Sequence, residues 1–371
     1  MREELGRAKR WVVKIGSALA TRQGMGLNIP AIEDWAGQMV EVKRGGREVV
    51  VVTSGSVAEG CARMGWTSRP RNLHQLQAAA AIGQMGLVRA WELAFKKYGM
   101  QAAQILLTHE DMASRERYLN SRSTLWTLLE LDVFPVINEN DTVATEEIRL
   151  GDNDTLAGLV SNLTDADLMI ILTDQEGLMT ADPRVDPAAR LIHNAAIDDP
   201  QITAIAGEGG AWGRGGMRTK ITAAKLAARS ETSTIIAAGH RPDVLRDIAA
   251  GKQVGTLLAA RGVGMAARKQ WLAASLHVKG RLTIDAGAAR VLREQGRSLL
   301  AVGVTTVMGS FDRGELVACF DPEGREVARG LTNYSSAEVA AIKGQPTAQF
   351  ESILGFVHEP ELIHRDNLVL V

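Results

Sequence analysis

Cysteine is nearly absent. Only Cys61 and Cys319 occur in 371 residues, far apart and without CxxC spacing, so the sequence supports neither a disulfide framework nor a thiolate zinc site, and a reducing, cytoplasmic setting is expected. A basic excess is missing too. With 42 Lys and Arg against 43 Asp and Glu, the chain lacks the broad positive field of a protein whose main work is binding nucleic acid, although a local basic face stays open. Long uncharged apolar runs are also missing. The run behind Met1-Arg2-Glu3-Glu4 is broken by Lys14, and no later stretch reaches about 18 such residues, so neither secretion nor membrane spanning is expected. Common site signatures fail in turn. There is no G-x-x-x-x-G-K-[ST] and no G-x-G-x-x-G behind a strand. The seven histidines show no ligand spacing, and His109-Glu110 lacks the second histidine of HExxH, so no protein ligands for a metal are assigned. His364-Arg365-Asp366 imitates part of a protein-kinase catalytic loop, but no DFG follows it and we read it as coincidence.

What is present is a pattern of short apolar runs. The chain is longer than one hydrophobic core usually holds, and its 46% apolar content fills two. Runs at 11–15, 49–52, 103–107, 134–137, 168–172 and 234–237 read as buried strands. Residues 32–43, 73–97, 114–131 and 217–229 read as helices between them. This alternation predicts an α/β fold, a three-layer sandwich around a mainly parallel sheet. Near Gly255 the pattern changes. Residues 259–276 mix Gly, Ala, Arg and Lys and read as a linker after a domain at 1–258. Short runs at 282–284, 301–307, 315–319 and 326–328 then predict a small β-rich domain over 277–371.

The exits of the predicted strands are polar: Gly16-Ser17, Thr53-Ser54-Gly55-Ser56, Thr108, Asn138-Glu139-Asn140-Asp141 and Thr173-Asp174. In an open α/β sheet the carboxyl ends of the strands form the ligand crevice, and helices that start there offer unpaired N–H groups to anions. Lys14 ends the first strand, so its ammonium can sit over the Gly16-Ser17 turn as part of a phosphate site; a lysine snorkelling beside an ordinary turn is the alternative. Two amides and two carboxylates directly behind the strand at 134–137 are costly unless a ligand or metal uses them, against the alternative of an Asx-rich turn. Asp152 or Asn153 can cap the following helix, which accounts for one polar residue of Asp152-Asn153-Asp154. A carboxylate such as Asp154 near two lysines would hold their ammonium groups in place. Glycines at 213–216 open a helix in which Lys220 lies one turn in, within reach of a bound triphosphate; a flexible loop before a surface helix is the plainer reading.

Taken together, the segments VVKIGS (12–17), VVVVTSGSVAEG (49–60), RERYLNSRSTL (115–125), PVINENDTVAT (135–145), GDNDTLA (151–157), LTDQEGLMTADPR (172–184) and GRGGMRTK (213–220) resemble the amino-acid kinase superfamily, and within it the glutamate kinases, over nearly the full length. The resemblance implies ATP, Mg²⁺ and L-glutamate as ligands, γ-glutamyl phosphate as product, feedback by proline, and a homo-oligomer. It implies that Lys14 and Lys220 flank the transferring phosphoryl group with Asp154 organising them, and that Ser54, Asp141 and Asn153 hold glutamate. Gly16, Ser17, Thr173, Asp174, Arg214, Gly215, Gly216, Met217, Arg218 and Thr219 would join the two lysines around the nucleotide. Mg²⁺ would be held mainly by the ATP phosphates. Gly280 to Ala288, Gly309-Ser310-Phe311 and the segment from Gly330 to Ser336 look like a PUA domain, a module also found in RNA-modifying enzymes. RNA contact through that domain, or a different acceptor in the same superfamily, are the competing readings. Arg214 and Arg218 depart from the family pattern, which has hydroxyl residues there, and residues 207–213 run one residue short. The stretch 142–150 beside the expected glutamate site is the expected place of proline control.

Overall fold

The computed structural model describes residues 5–143, 153–181, 186–207, 216–260 and 278–371. By contact clustering the chain divides into two compact units, one of residues 1–113 and 121–265, the other of 114–120 and 266–371.

The first unit is built on an 8-stranded sheet of order β3-β4-β2-β1-β5-β7-β8-β6. Its strands are β1 (Arg10–Ile15), β2 (Glu48–Val52), β3 (Ala102–Leu107), β4 (Phe134–Glu139), β5 (Leu168–Thr173), β6 (Asn194–Ala196), β7 (Ser233–Ala238) and β8 (Thr256–Ala259). All neighbours pair in parallel except β7 with β8. The helices are α1 (Ser17–Ala20), α2 (Ile29–Arg44), α3 (Ser56–Arg63), α4 (Leu73–Lys96), α5 (His109–Ala113), α6 (Arg115–Glu130), α7 (Asn153–Thr164), α8 (Pro200–Gly207), α9 (Met217–Ala227) and α10 (Val244–Ala249). The six strands predicted from apolar runs are present, each within a residue or two of its expected ends. β6 and β8 are additions. β6 is a three-residue strand with two exposed residues, too short and polar to leave a signal. The segment expected as a linker falls mostly on 261–277, outside the described residues.

Strand periodicity sets the layers. Alternate residues of β1 point to opposite faces. Trp11, Val13 and Ile15 join a core with Trp35 and Met39 of α2, Trp91 and Phe95 of α4 and Leu245 of α10. Val12 and Lys14 therefore point to the other face, where α7 packs on β1, β2, β4 and β5, and α9 packs on α7. Both faces of the central strands are covered, so β2, β5 and the interior of β1 are largely apolar, and each buried Val or Ile adds about 1.5–3 kcal/mol of hydrophobic stabilisation.

α3 and α4 approach backbone to backbone. A Cβ at Gly60 would stand 1.8 Å from the Ala79 carbonyl oxygen, and one at Gly83 would stand 1.8 Å from that of Ser56. Glycine at both positions lets α4 lie directly against the start of α3. Asn72 fixes the beginning of α4 by accepting a hydrogen bond from the Gln75 amide at 3.2 Å.

The second unit holds a 5-stranded sheet of order β10-β9-β11-β12-β13. Its strands are β9 (Gly280–Ile284), β10 (Val304–Gly309), β11 (Leu316–Phe320), β12 (Glu326–Leu331) and β13 (Leu368–Leu370), and only β9 and β11 pair in parallel. The expected strand at 301–307 begins later than predicted, because Ala301–Gly303 forms a 3-10 turn. α11 (Ala286–Gln295), α12 (Ser336–Ile342) and α13 (Phe350–Leu354) were not anticipated. Asp285 caps α11, and Ser335 with Glu338 forms a capping box on α12. Leu282, Val317, Cys319, Tyr334 and Phe350 share this unit's own core. Both cysteines are free and buried. Burial pushes the Cys319 thiol up to about 12, so it remains protonated and inert.

Gly83→Ala is expected to destabilise the protein by about 1–3 kcal/mol, the usual cost of overpacking, because its methyl group must displace the Ser56 carbonyl. Thermal denaturation of the variant against wild type checks this.

Candidate active site

The strand order places the crevice. The chain leaves β1 towards β2, β4 and β3 on one side, whereas from β5 it continues to β7, β8 and β6 on the other. β1 and β5 are neighbours, with Ile15 opposite Leu172, so the direction of winding switches between them. Ligands of open α/β sheets bind at such points, outside the carboxyl ends of the strands.

Lys14 is the last residue of β1 but one, on the α7 face. Asp154 is the second residue of α7, and Lys220 sits in the first turns of α9. Their side chains converge although they come from distant parts of the sequence. The Lys14 ammonium pairs with Asp154 Oδ1, and Lys220 Nζ donates to Asp154 Oδ2 at 3.0 Å. Thr219 Oγ1 lies 3.0 Å from the same Oδ2 and 2.8 Å from the Gly216 carbonyl oxygen. Relative exposures of 5% for Lys14, 1% for Asp154 and 6% for Lys220 make this a buried cluster. Burial would by itself raise the Asp154 pKa, but the charges of Lys14 and Lys220 and their hydrogen bonds prevail and hold it below the ordinary aspartate range. Two ammonium groups thus meet the same buried carboxylate, in surroundings where a further anion is favoured.

Gly16 follows at the β1 exit. Its N–H donates to the Leu172 carbonyl at 3.1 Å, and Ser17 starts α1 as an exposed residue. A Cβ on Gly16 would crowd the Leu172 oxygen at 3.3 Å and approach Lys14 Nζ at 3.9 Å. Thr173 and Asp174 lie at the exit of β5. Thr173 is buried, Asp174 is exposed, and their side chains hydrogen-bond at 3.0 Å. Gly216 is the N-cap of α9, Met217 is buried behind it, and Arg218 is exposed. Arg214 and Gly215 lie outside the described residues, as does Asp152.

A second polar cluster adjoins the first through α7, because Asn153 immediately precedes Asp154. Asn153 Nδ2 reaches Ser54 Oγ at 2.8 Å, Asn138 Oδ1 at 2.9 Å and the Thr53 carbonyl oxygen at 2.5 Å. Ser56 Oγ donates to Asp141 Oδ2 at 3.2 Å. Gly55 takes a φ of 120°, open to glycine and strained for other residues, and this lets the chain turn from β2 into α3 with Ser54 and Ser56 at the corner. Ser54, Asp141 and Asn153 are thus brought together, and their acidic member suits a cationic ligand group.

The fifth polar strand exit does not join the cluster. Thr108 donates from its N–H and its hydroxyl to Asp111 Oδ2, both at 2.7 Å, closing the turn that starts α5. Its strand, β3, is at the sheet edge, so the residue serves local capping. The polar exits behind β2 and β4 mark Ser56 and Asn138 as ligand candidates in the sequence, whereas Gln84 belongs to no such exit. Gln84 had one signal: a polar residue beside glycine inside a long helix rich in alanine.

Asp154→Asn removes the carboxylate that two buried ammonium groups share, which is expected to cost about 3–5 kcal/mol of stability at neutral pH. A depressed carboxylate pKa contributes stability that is present above the ordinary aspartate value and lost as the pH falls through the folded-state value. The gap between wild type and Asp154→Asn is therefore expected to narrow as the pH drops below about 4. Urea titrations of both proteins across that range measure it.

Known proteins agree with this architecture. A family model described as "Amino acid kinase family" matches residues 9–238, and one described as "PUA domain" matches residues 280–354. The protein named "Glutamate 5-kinase" of Ectopseudomonas mendocina is 59% identical over 372 residues, covering 100% of both chains. That of Burkholderia multivorans is 58% identical with the same coverage, and that of Thioalkalivibrio sulfidiphilus is 57% identical over 100% of this chain and 99% of its own. With a kinase model spanning more than half the chain and full-length relatives well above half identical, the chain belongs to the amino acid kinase family, with a PUA domain behind its kinase segment.

Proposed function

We propose that this chain transfers the γ-phosphoryl group of ATP to the side-chain carboxylate of L-glutamate, giving L-glutamyl 5-phosphate, the first step from glutamate towards proline. One observation carries the reading. A buried cluster of two ammonium groups on one carboxylate, Lys14-Asp154-Lys220, adjoins through consecutive residues of α7 a polar pocket built from Ser54, Asp141 and Asn153.

In this reading the ammonium groups of Lys14 and Lys220 flank the migrating phosphoryl group and neutralise the charge on its oxygens. Asp154 holds both lysines and takes no proton. A glutamate carboxylate is already ionised at neutral pH, so no general base is needed: its oxygen attacks the γ-phosphorus as the bond to the ADP oxygen breaks. Asp141 offers charge to the glutamate ammonium, and Ser54 and Asn153 supply polar contacts. Gly16 and Ser17 behind β1, Thr173 and Asp174 behind β5, and the segment from Arg214 to Thr219 border the nucleotide. Both oxygens of Asp154 are engaged by lysines, which leaves that carboxylate unsuited to a bare cation, so Mg²⁺ would be held by the phosphate oxygens. Bound there, it would neutralise phosphate charge. The kinase machinery would lie within 1–258, acting in the cytoplasm as a homo-oligomer.

Lys220→Ala is expected to lower turnover by about two to three orders of magnitude, the effect of removing one charge stabiliser from a phosphoryl-transfer site. The assay is γ-glutamyl hydroxamate formation from glutamate, ATP and hydroxylamine, and near-normal rates would remove Lys220 from the mechanism. Proline, the product at the end of such a route, is expected to raise the glutamate concentration needed for half-saturation. Of the stretch 142–150 only 142 and 143 lie among the described residues. An unchanged glutamate saturation curve in saturating proline would remove feedback control.

A further inference from the structure

Gln84, in the middle of α4, has no part in the roles assigned above. It lies next to Gly83, the residue whose missing side chain lets α4 touch the start of α3 at the Ser56 carbonyl. That contact carries Gln84 to the edge of the acceptor pocket. There its Oε1 accepts a hydrogen bond from Asn138 Nδ2 at 2.9 Å.

We propose that Gln84 is a positioning residue for the acceptor, fixing the direction of an amide relay so that Asn153 turns its carbonyl oxygen, rather than its NH2, towards the ammonium group of the substrate. The inference rests on reading this pocket as a glutamate site.

A carboxamide has two ends of nearly equal size and opposite hydrogen-bonding sense, so its partners alone decide which way it faces. Asn138 is buried at 2% exposure. Its NH2 is directed at Gln84 Oε1, with a longer 3.4 Å approach to Ser56 Oγ. Its oxygen consequently faces the other way and accepts from Asn153 Nδ2 at 2.9 Å. Asn153 Nδ2 is then spent on Asn138, Ser54 and the Thr53 carbonyl, so the end of this amide left for a ligand is Oδ1, which has no partner among the described residues. The Ser56 hydroxyl, approached by the Asn138 NH2, gives its own proton to Asp141 Oδ2 at 3.2 Å. Both chains that begin at Gln84 thus end in an acceptor, Asn153 Oδ1 and the Asp141 carboxylate. Acceptors at these two ends suit a ligand group rich in donors, as an ammonium group is.

Without an acceptor at position 84 the Asn138 NH2 keeps only the long contact to Ser56. Rotation of Asn138 by half a turn then sets its NH2 against that of Asn153, two donors facing each other, and the relay loses its direction. Gln84→Met keeps length and volume while removing the acceptor. Gln84→Glu keeps an acceptor oxygen. The discriminating substrate is glutarate, the same dicarboxylate without the amino group.

In Gln84→Met the KM for glutamate is expected to rise about tenfold, and the preference in kcat/KM for glutamate over glutarate to fall about tenfold, the worth of one hydrogen bond to a charged group. The KM for ATP stays within about twofold, and calorimetric titration of glutamate shows the same loss without turnover. In Gln84→Glu the glutamate KM and the preference stay within about threefold of wild type. Three results overturn the proposal: an unaltered preference in Gln84→Met, equal losses for glutamate and ATP in that variant, or a Gln84→Glu enzyme as impaired as Gln84→Met. If the wild-type enzyme forms no γ-glutamyl hydroxamate at all, the glutamate reading itself falls and takes the relay with it.

Discussion

Two ammonium groups share one carboxylate where β1, α7 and α9 meet, and the rest of the site depends on that arrangement. Taking an ion out of water costs several kcal/mol even after relaxation. Lys14, Asp154 and Lys220 offset that cost only while all are in place and well aligned. The cluster therefore fixes the relative position of three elements that are far apart in sequence. Two buried ammonium groups also favour an anion beside them, and in the proposed reaction that anion is the phosphoryl group in transfer, with charge spread over its oxygens.

α7 joins the two halves of the chemistry. Asp154 belongs to the cationic cluster and Asn153 to the polar pocket, so a single peptide unit separates the two clusters; in the proposed reaction that is the separation between the phosphoryl donor and the acceptor. Alignment of two reactants by a single rigid element is a direct way to keep reacting atoms in register. The supports of this element are apolar: α7 lies on the strand face opposite the core of Trp35, Trp91 and Phe95. Glycine provides the close approaches. At Gly60 and Gly83 it lets two helices touch through their backbones, which brings the polar face of α4 to the pocket wall. The second unit keeps a core of its own around Tyr334 and Phe350, capped by local hydrogen bonds of Asp285 and Ser335.

The sequence by itself determined the α/β class, the six longer strands and the identity of the charged residues, since each depends on local pattern. Apolar runs must be buried whatever surrounds them. A polar cluster directly behind such a run stands where parallel sheets bind ligands. β6, β8 and the helices of the second unit left little trace, being short and stabilised by caps and neighbours rather than by periodicity. Tertiary structure alone decided which polar exits share a site. Thr108 has the same composition signal as Thr53 or Thr173, yet edge placement and Asp111 make it a cap. It also decided direction within the acceptor pocket. A sequence names Gln84, Asn138 and Asn153 but cannot say which end of each amide faces which partner, because that choice is made by hydrogen bonds between residues brought together only when the chain has folded.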